Sequence, residues 1–187
     1  TSLTAVCGYG EYLQLANASE VERQEAAEFI VQESRRLTDL AERLLLLGNL
    51  REGSVRVEQV PVAALFAGAA KAFPRVSYLP TDGEIQGDGA LLQSLVNNLV
   101  KNALEAGATQ VELSFREGCL TVTDNGCGMD EATLAMARTP PRRGNMTGNK
   151  GMGLALCHRI AALHRARISF ASQVELGTQV QVDFTTS

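Results

Sequence analysis

Apolar positions along this chain follow two regimes. Through the first 50 or so residues they keep a helical period, and in the second half they break into short runs. Ile30, Leu37 and Leu44 recur every seven residues, and Leu40 and Leu47 repeat that interval three positions later. This is the a/d seam of a coiled-coil-type helix. Leu3, Val6 and Leu13 give a preceding helix a matching stripe. Ser19-Glu20-Val21-Glu22 supplies a capping box at the start of the second helix, so the turn falls at Asn17 to Ser19. A helical hairpin of this size leaves its seam exposed. Pairing with a second copy into a four-helix bundle is therefore expected, the alternative being a hairpin packed on the rest of its own chain.

Beyond the hairpin, Arg51 to Gln59 is polar, contains Gly53, and reads as a linker or a short edge strand. Pro61 suits the first turn of a helix reaching about Phe73. Val76 to Tyr78 is a strand candidate, and Pro80 to Gly89 reads as turn-rich. Asp88 can cap the next helix, where Leu91, Leu92, Leu95, Val96, Leu99 and Ala103 form one broad apolar face. Val111 to Phe115 and Leu120 to Thr123 are β-rich runs joined at Glu117-Gly118. A long polar segment precedes a helix over about Met152 to His164, and Ile168 to Ala171 and Thr178 to Phe184 close the chain as strands. The prediction is an α+β protein: a helical hairpin over 1–50, a linker over 51–60, and an α/β sandwich of a mixed sheet packed on helices over 61–187.

Composition narrows the function. The formal charge of −4 argues against non-specific nucleic-acid binding. No apolar run approaches a membrane span and no signal peptide opens the sequence, so no membrane contact by this stretch is expected. Cys7, Cys119, Cys127 and Cys157 lie far apart without a C-x-x-C spacing, which disfavours zinc and a disulfide framework and points to reduced thiols in a cytoplasmic setting.

Three short segments carry candidate chemistry. Asn98 and Asn102, four apart on a helix, project both carboxamides from one face, opposite the buried leucines. Magnesium takes oxygen ligands and usually binds through few protein groups plus phosphates, so one carboxamide oxygen from Asn102 fits it. Alone, the pair is equally an exposed polar stripe. Asp124 ends an apolar strand and opens a turn whose Gly126 and Gly128 allow positive φ and close ligand approach. A carboxylate there, accepting from an exocyclic amine, would select adenine over guanine. An isolated D-N-G is also a plain hairpin turn. Gly151-Met152-Gly153-Leu154 opens a helix, where backbone N–H groups and the helix dipole favour phosphate. The G-K-[ST] ending of a Walker-type loop is absent.

In combination, N-x-x-x-N-A, D-N-G-C-G-M and G-M-G-L-A-L resemble the ATP-binding domain of sensor histidine kinases, within the wider family of type II topoisomerase, chaperone and MutL-type ATPases. The resemblance implies ATP and magnesium as ligands, with Asn102 on the metal. Asn98 takes the place where related ATPases carry a glutamate base. An amide cannot act as that base, which disfavours hydrolysis and leaves the γ-phosphoryl for another acceptor. Asp124 would bind the adenine amino group, Met129 would line the base pocket, and Thr178, after Gly177, would reach the adenine site. Gly126, Gly128, Gly151, Gly153 and Leu154 would shape the nucleotide loops. Arg142, Arg143 and Lys150 lie in the expected mobile lid, as phosphate-neutralising groups or as ordinary solvated cations.

The stretch from Thr1 to Gly8-Tyr9 looks like the segment just after a phospho-acceptor histidine, which would lie four positions before Thr1. The implied partners are a second copy through residues 1–50 and a response regulator receiver domain. Thr1 would hold a water for the reverse, phosphatase reaction, or would serve only as a helix cap. Two features depart from the pattern: the lid lacks its usual phenylalanine-containing box, and Glu105 stands where a basic residue is common. A MutL-like ATPase and a degenerate nucleotide-binding scaffold or phosphotransfer module are the competing readings.

Overall fold

The computed structural model describes residues 2–13, 19–49, 56–140 and 152–185. Two compact units divide the chain, Thr1–Asn49 and Leu50–Ser187.

The first unit is an antiparallel pair of helices, α1 (Ser2–Leu13) and α2 (Glu20–Asn49). The capping box at the start of α2 forms in full. Glu22 accepts from the Ser19 backbone N–H at 2.8 Å and from its hydroxyl at 2.7 Å, while the Glu22 N–H donates to Ser19 Oγ at 3.4 Å. The Ser19 hydroxyl and N–H, with Tyr12, hold the Glu22 carboxyl below its ordinary value. Tyr9 stacks on Phe29 with ring centroids 4.5 Å apart, and Ala26 is fully buried between the helices. Of the heptad residues, Ile30 and Leu37 are half-buried; the side chains of Leu40, Leu44 and Leu47 lie outside the described residues.

The second unit is an α+β sandwich. A mixed five-stranded sheet runs in the order β2 (Val76–Tyr78), β4 (Val111–Arg116), β5 (Cys119–Asp124), β7 (Gly177–Asp183) and β6 (Arg167–Gln173). Only the β2–β4 pair is parallel. Alternation along the strands buries one face: Val111 and Leu113, Leu120 and Val122, Val180 and Val182, and Phe170. Helices α3 (Val62–Ala72), α4 (Gly89–Glu105) and α6 (Met152–Leu163) cover this face. The β4–β5 hairpin turns at Glu117 (φ 50°) and Gly118 (φ 77°), the positive-φ pair that a two-residue connection between twisted strands requires.

Three local expectations are corrected. Pro80 to Gly89 is not turn throughout: Glu84–Gly87 forms β3, antiparallel to β1 (Glu58–Pro61) in a separate two-stranded sheet. Alternating burial of Ile85 and Gly87 is what the short, glycine-flanked run conceals in sequence. Pro61 ends β1 and caps α3, with Val62 as its first helical residue. The polar stretch after Met129 contains α5 (Glu131–Arg138), capped by Asp130, whose carboxylate accepts from the Thr133 N–H at 2.8 Å. Its single buried residue, Ala137, gives too weak an apolar stripe to read. Tertiary contacts hold it instead: His158 Nε2–H donates to the Ala137 carbonyl at 2.8 Å, and the Arg138 guanidinium donates to the Phe170 carbonyl at 3.0 and 3.2 Å.

All four cysteines are free thiols. No helix among the described residues is long and apolar enough to cross a membrane.

Candidate functional site

Helix α4 begins where Asp88 Oδ1 accepts from the N–H groups of Ala90 and Leu91 at 3.1 and 3.2 Å. The Asp88 N–H itself donates to His164 Nε2 at 3.0 Å. His164 is therefore the Nδ1–H tautomer, and that proton goes to the Ile160 carbonyl at 2.8 Å. Both of its nitrogens are engaged, so His164 ties the end of α6 to the start of α4.

The two asparagines of α4 occupy different environments, which corrects the expectation of a shared open face. Because α4 packs against α3, α6 and the sheet, its buried arc extends round to Asn98, which is only 8% exposed. Asn98 Nδ2 donates to the Ser94 carbonyl at 2.7 Å, and that acceptor fixes the orientation of the amide. Its Oδ1 is buried without a hydrogen-bond partner. An orphaned buried acceptor is uncommon and marks a place where a donor or cation is wanted. Asn102, one turn on, is half-buried and its carboxamide makes no hydrogen bond among the described residues.

Strand β5 delivers Asp124 on its buried face, in phase with Leu120 and Val122. A carboxylate in that phase must have its oxygens satisfied. Oδ1 accepts from the Gly126 N–H at 2.8 Å and the Thr178 N–H at 3.3 Å. Oδ2 has no partner among the described residues and retains its lone pairs. Thr178 stands directly opposite Asp124 across the β5–β7 ladder, and Ser172 is opposite Thr178 on β6. The row Asp124, Thr178, Ser172 thus lines one end of the buried face.

The loop after β5 is held by backbone contacts. The Cys127 N–H donates to the Ala106 carbonyl at 2.9 Å, tying it to the end of α4, and the Cys127 carbonyl accepts from the Glu175 N–H at 2.8 Å. The glycine roles differ from expectation. Gly126 does not have positive φ; it is small because a Cβ would lie 2.9 Å from the Ala106 carbonyl oxygen and 3.0 Å from Asp124 Oδ1. Gly128 does have positive φ (67°), and the atom it approaches is the Gln173 carbonyl oxygen, not a ligand. The half-buried Met129 donates its N–H to Ser172 Oγ at 2.8 Å.

Gly153 is buried and Leu154 half-buried in the first turn of α6, which packs on α4 with Cys157 Sγ 4.0 Å from the Leu95 carbonyl oxygen. Thr1, Arg142, Arg143, Lys150 and Gly151 lie outside the described residues. Sequence reasoning missed Ser172. The signal available was its phase with Ile168 and Phe170 on the inner face of β6.

Asp124, with Oδ2 free among the described residues, and the hydroxyls of Thr178 and Ser172 form a polar row at one end of the buried face, while Asn98 and Asn102 on α4 carry amide oxygens without a partner among the described residues. Residues 87–186 match the family described as histidine kinase-, DNA gyrase B- and HSP90-like ATPase, and the chain belongs to that family. It is 31% identical over 196 residues to the phosphate regulon sensor protein PhoR of Pseudomonas aeruginosa, which covers 92% of this chain and 44% of that protein. The ATP-binding domain of PrrB from Mycobacterium tuberculosis is 27% identical, with a TM-score of 0.55 over 68% of this chain and 95% of that domain. The histidine kinase ThkA, solved in complex with the response regulator protein TrrA, shares the fold at 15% identity, with a TM-score of 0.70 over 97% of this chain and 57% of that one. The chain spans less than half the length of PhoR and of the other curated sensor kinases it matches.

Proposed function

We propose that this chain is the ATP-binding kinase core of a two-component sensor histidine kinase. The observation that carries the reading is the buried Asp124 carboxylate, with Oδ1 committed to two backbone N–H groups and Oδ2 left to accept from a ligand amine. A rigid, desolvated acceptor discriminates strongly in favour of a 6-amino purine, because a 6-oxo group would face it lone pair to lone pair. Thr178 flanks it and Met129 borders the base. Backbone N–H groups at Gly151, Gly153 and Leu154 would receive phosphate at the start of α6, with Arg142, Arg143 and Lys150 supplying positive charge.

The donor set also fits magnesium. Asn102 offers an unengaged carboxamide oxygen, and the orphaned Asn98 Oδ1 lies one turn away. Asn102 would hold the ion and Asn98 would accept from its water shell. The metal's contribution is to offset charge on the phosphates. Asn98 cannot remove a proton from water, and its nitrogen is committed to Ser94, so transfer to a protein nucleophile is favoured over hydrolysis. Neither histidine of this chain suits the nucleophile. His158 is buried on the Ala137 carbonyl, and His164 uses both nitrogens. The acceptor is assigned to a histidine four positions before Thr1, Thr1 to holding water for phosphatase action, and the next carrier to a response regulator, as in the ThkA complex. The location is cytoplasmic.

Restoring the upstream helix and supplying γ-labelled ATP should yield acid-labile, base-stable phosphoprotein; label retained only in free phosphate would instead favour a hydrolase. Asn102→Ala should lower ATP affinity by at least about tenfold with magnesium and leave it unchanged with chelator. Calorimetry in the two conditions checks this, and equal losses in both would remove the metal role from Asn102.

The heptad residues of α2 are assigned to a homodimer seam. The intact chain should sediment as a dimer at ~10 µM and residues 50–187 as a monomer. A monomeric intact chain would place the seam elsewhere.

A further inference from the structure

We propose that Ser172 is a positioning residue that fixes the direction of the Thr178 hydroxyl and thereby sharpens the purine preference of the site. The inference rests on the reading of Asp124 and Thr178 as the floor of an adenine pocket, and adds to it a residue that does not itself touch the base.

Ser172 Oγ has three polar neighbours and a single proton to give. Ser172 Oγ lies 2.8 Å from the Met129 nitrogen, 3.0 Å from the Gly177 carbonyl oxygen and 2.9 Å from Thr178 Oγ1. A hydroxyl has one proton to donate and two lone pairs to accept with. The Met129 N–H can only donate, so it occupies one lone pair. The Gly177 carbonyl can only accept, so it takes the single Ser172 proton. The remaining contact, to Thr178, is then completed only if Thr178 donates its proton to the second Ser172 lone pair. Ser172 is fully satisfied in this arrangement, with one bond given and two received.

The consequence falls on Thr178, which is 7% exposed and directly opposite Asp124. Its hydroxyl proton points along the sheet toward β6, so toward the ligand it presents lone pairs only. Asp124 Oδ2 presents lone pairs as well. The floor is therefore two adjacent acceptors with no proton of its own. At position 6 a 6-amino purine brings N–H donors to such a floor, whereas a 6-oxo purine brings a third acceptor there and keeps a donor only at N1. Asp124 alone would leave a loophole, since a freely rotating threonine beside it could swing its proton toward an oxo group. Ser172 closes that loophole by holding the proton elsewhere. No other hydroxyl bonds Thr178 Oγ1 among the described residues, so the control lies with this one side chain.

The test compares ATP and inosine triphosphate, which carries a 6-oxo group, by calorimetry on the whole chain with magnesium. Wild type should prefer ATP. Ser172→Ala should narrow that preference about tenfold, mainly through tighter binding of inosine triphosphate, because Thr178 regains a free proton. Ser172→Thr, which keeps one donor and two acceptor positions, should restore the wild-type ratio. Adding Ser172→Ala to Thr178→Val should leave the ratio of Thr178→Val unchanged, since no hydroxyl remains to redirect. Should Ser172→Ala lose the fold by circular dichroism, Ser172→Cys, a weak donor and acceptor of similar size, takes its place with the same expected narrowing. An unchanged ratio in the Ala or Cys variant overturns the proposal. So does an equal narrowing in the Thr178→Val background, which would mean that Ser172 acts through the Met129 loop. Wild type without ATP preference would instead sink the adenine reading of Asp124, and this inference with it.

Discussion

Asp124→Asn should lower ATP affinity about 100-fold while leaving the domain folded. The choice of asparagine matters because Asp124 has two separable tasks. Oδ1 satisfies the backbone N–H groups of Gly126 and Thr178, which hold the loop after β5 and the start of β7. An asparagine keeps an oxygen there. Its nitrogen replaces Oδ2, so the ligand-facing lone pairs become N–H donors that oppose the purine amine. Alanine would remove both tasks together. It would orphan two buried N–H groups at about 1–3 kcal/mol each and confuse lost binding with lost structure. The expected result is a thermal midpoint near wild type, a large loss of ATP binding, and a narrowed gap between ATP and GTP. Undiminished ATP affinity in a folded Asp124→Asn protein would remove this residue from the site.

Gly177→Ala should destabilise the domain by about 3 kcal/mol or more and abolish nucleotide binding with it. Gly177 has φ of +97°, and a Cβ there would overlap the Asp124 carbonyl oxygen and lie 2.8 Å from its carbonyl carbon and 2.9 Å from the Asn125 Cα. These obstacles are backbone, so no side chain can rotate away. Relief requires β7 to separate from β5 at the Asp124–Thr178 pair, where the candidate site is built. Gly107→Ala is the internal control. Its φ is +82°, but nothing lies within 4 Å of the added methyl, so only the backbone preference is lost, at about 1 kcal/mol. Urea unfolding of the two variants should therefore differ by at least about 2 kcal/mol. Similar values would mean that the close approach at Gly177 relaxes without cost.

Much of the fold was legible because its signals are local. The helical period of α2 runs along one continuous stretch, and the Ser19 capping box, the Asp88 cap and the strand alternation each reside within a few consecutive residues. Two elements were not. Strand β3 is four residues long and is fixed by pairing with β1, and α5 is held by His158 and Arg138 rather than by an apolar stripe of its own. Their determinants lie far away in sequence, where periodicity cannot register them.

The site divides in the same way. Which residues to name as candidates was readable, since a carboxylate ending an apolar strand and amides at helical spacing are rare enough together to stand out. Their states were not. That Asn98 is buried with an orphaned oxygen follows from how widely α4 is covered by its neighbours, and that Gly126 and Gly128 yield to carbonyl oxygens follows from the approach of α4 and β6. The sequence by itself placed Asp124 at the end of one strand and Thr178 at the start of another; Ser172 lay beyond the strand it predicted, Ile168 to Ala171, although its phase with Phe170 was there to read. Only the tertiary structure decided that the three stand in one row, because register between strands is set by packing and turn geometry, and a slip of one residue would turn every side chain to the opposite face.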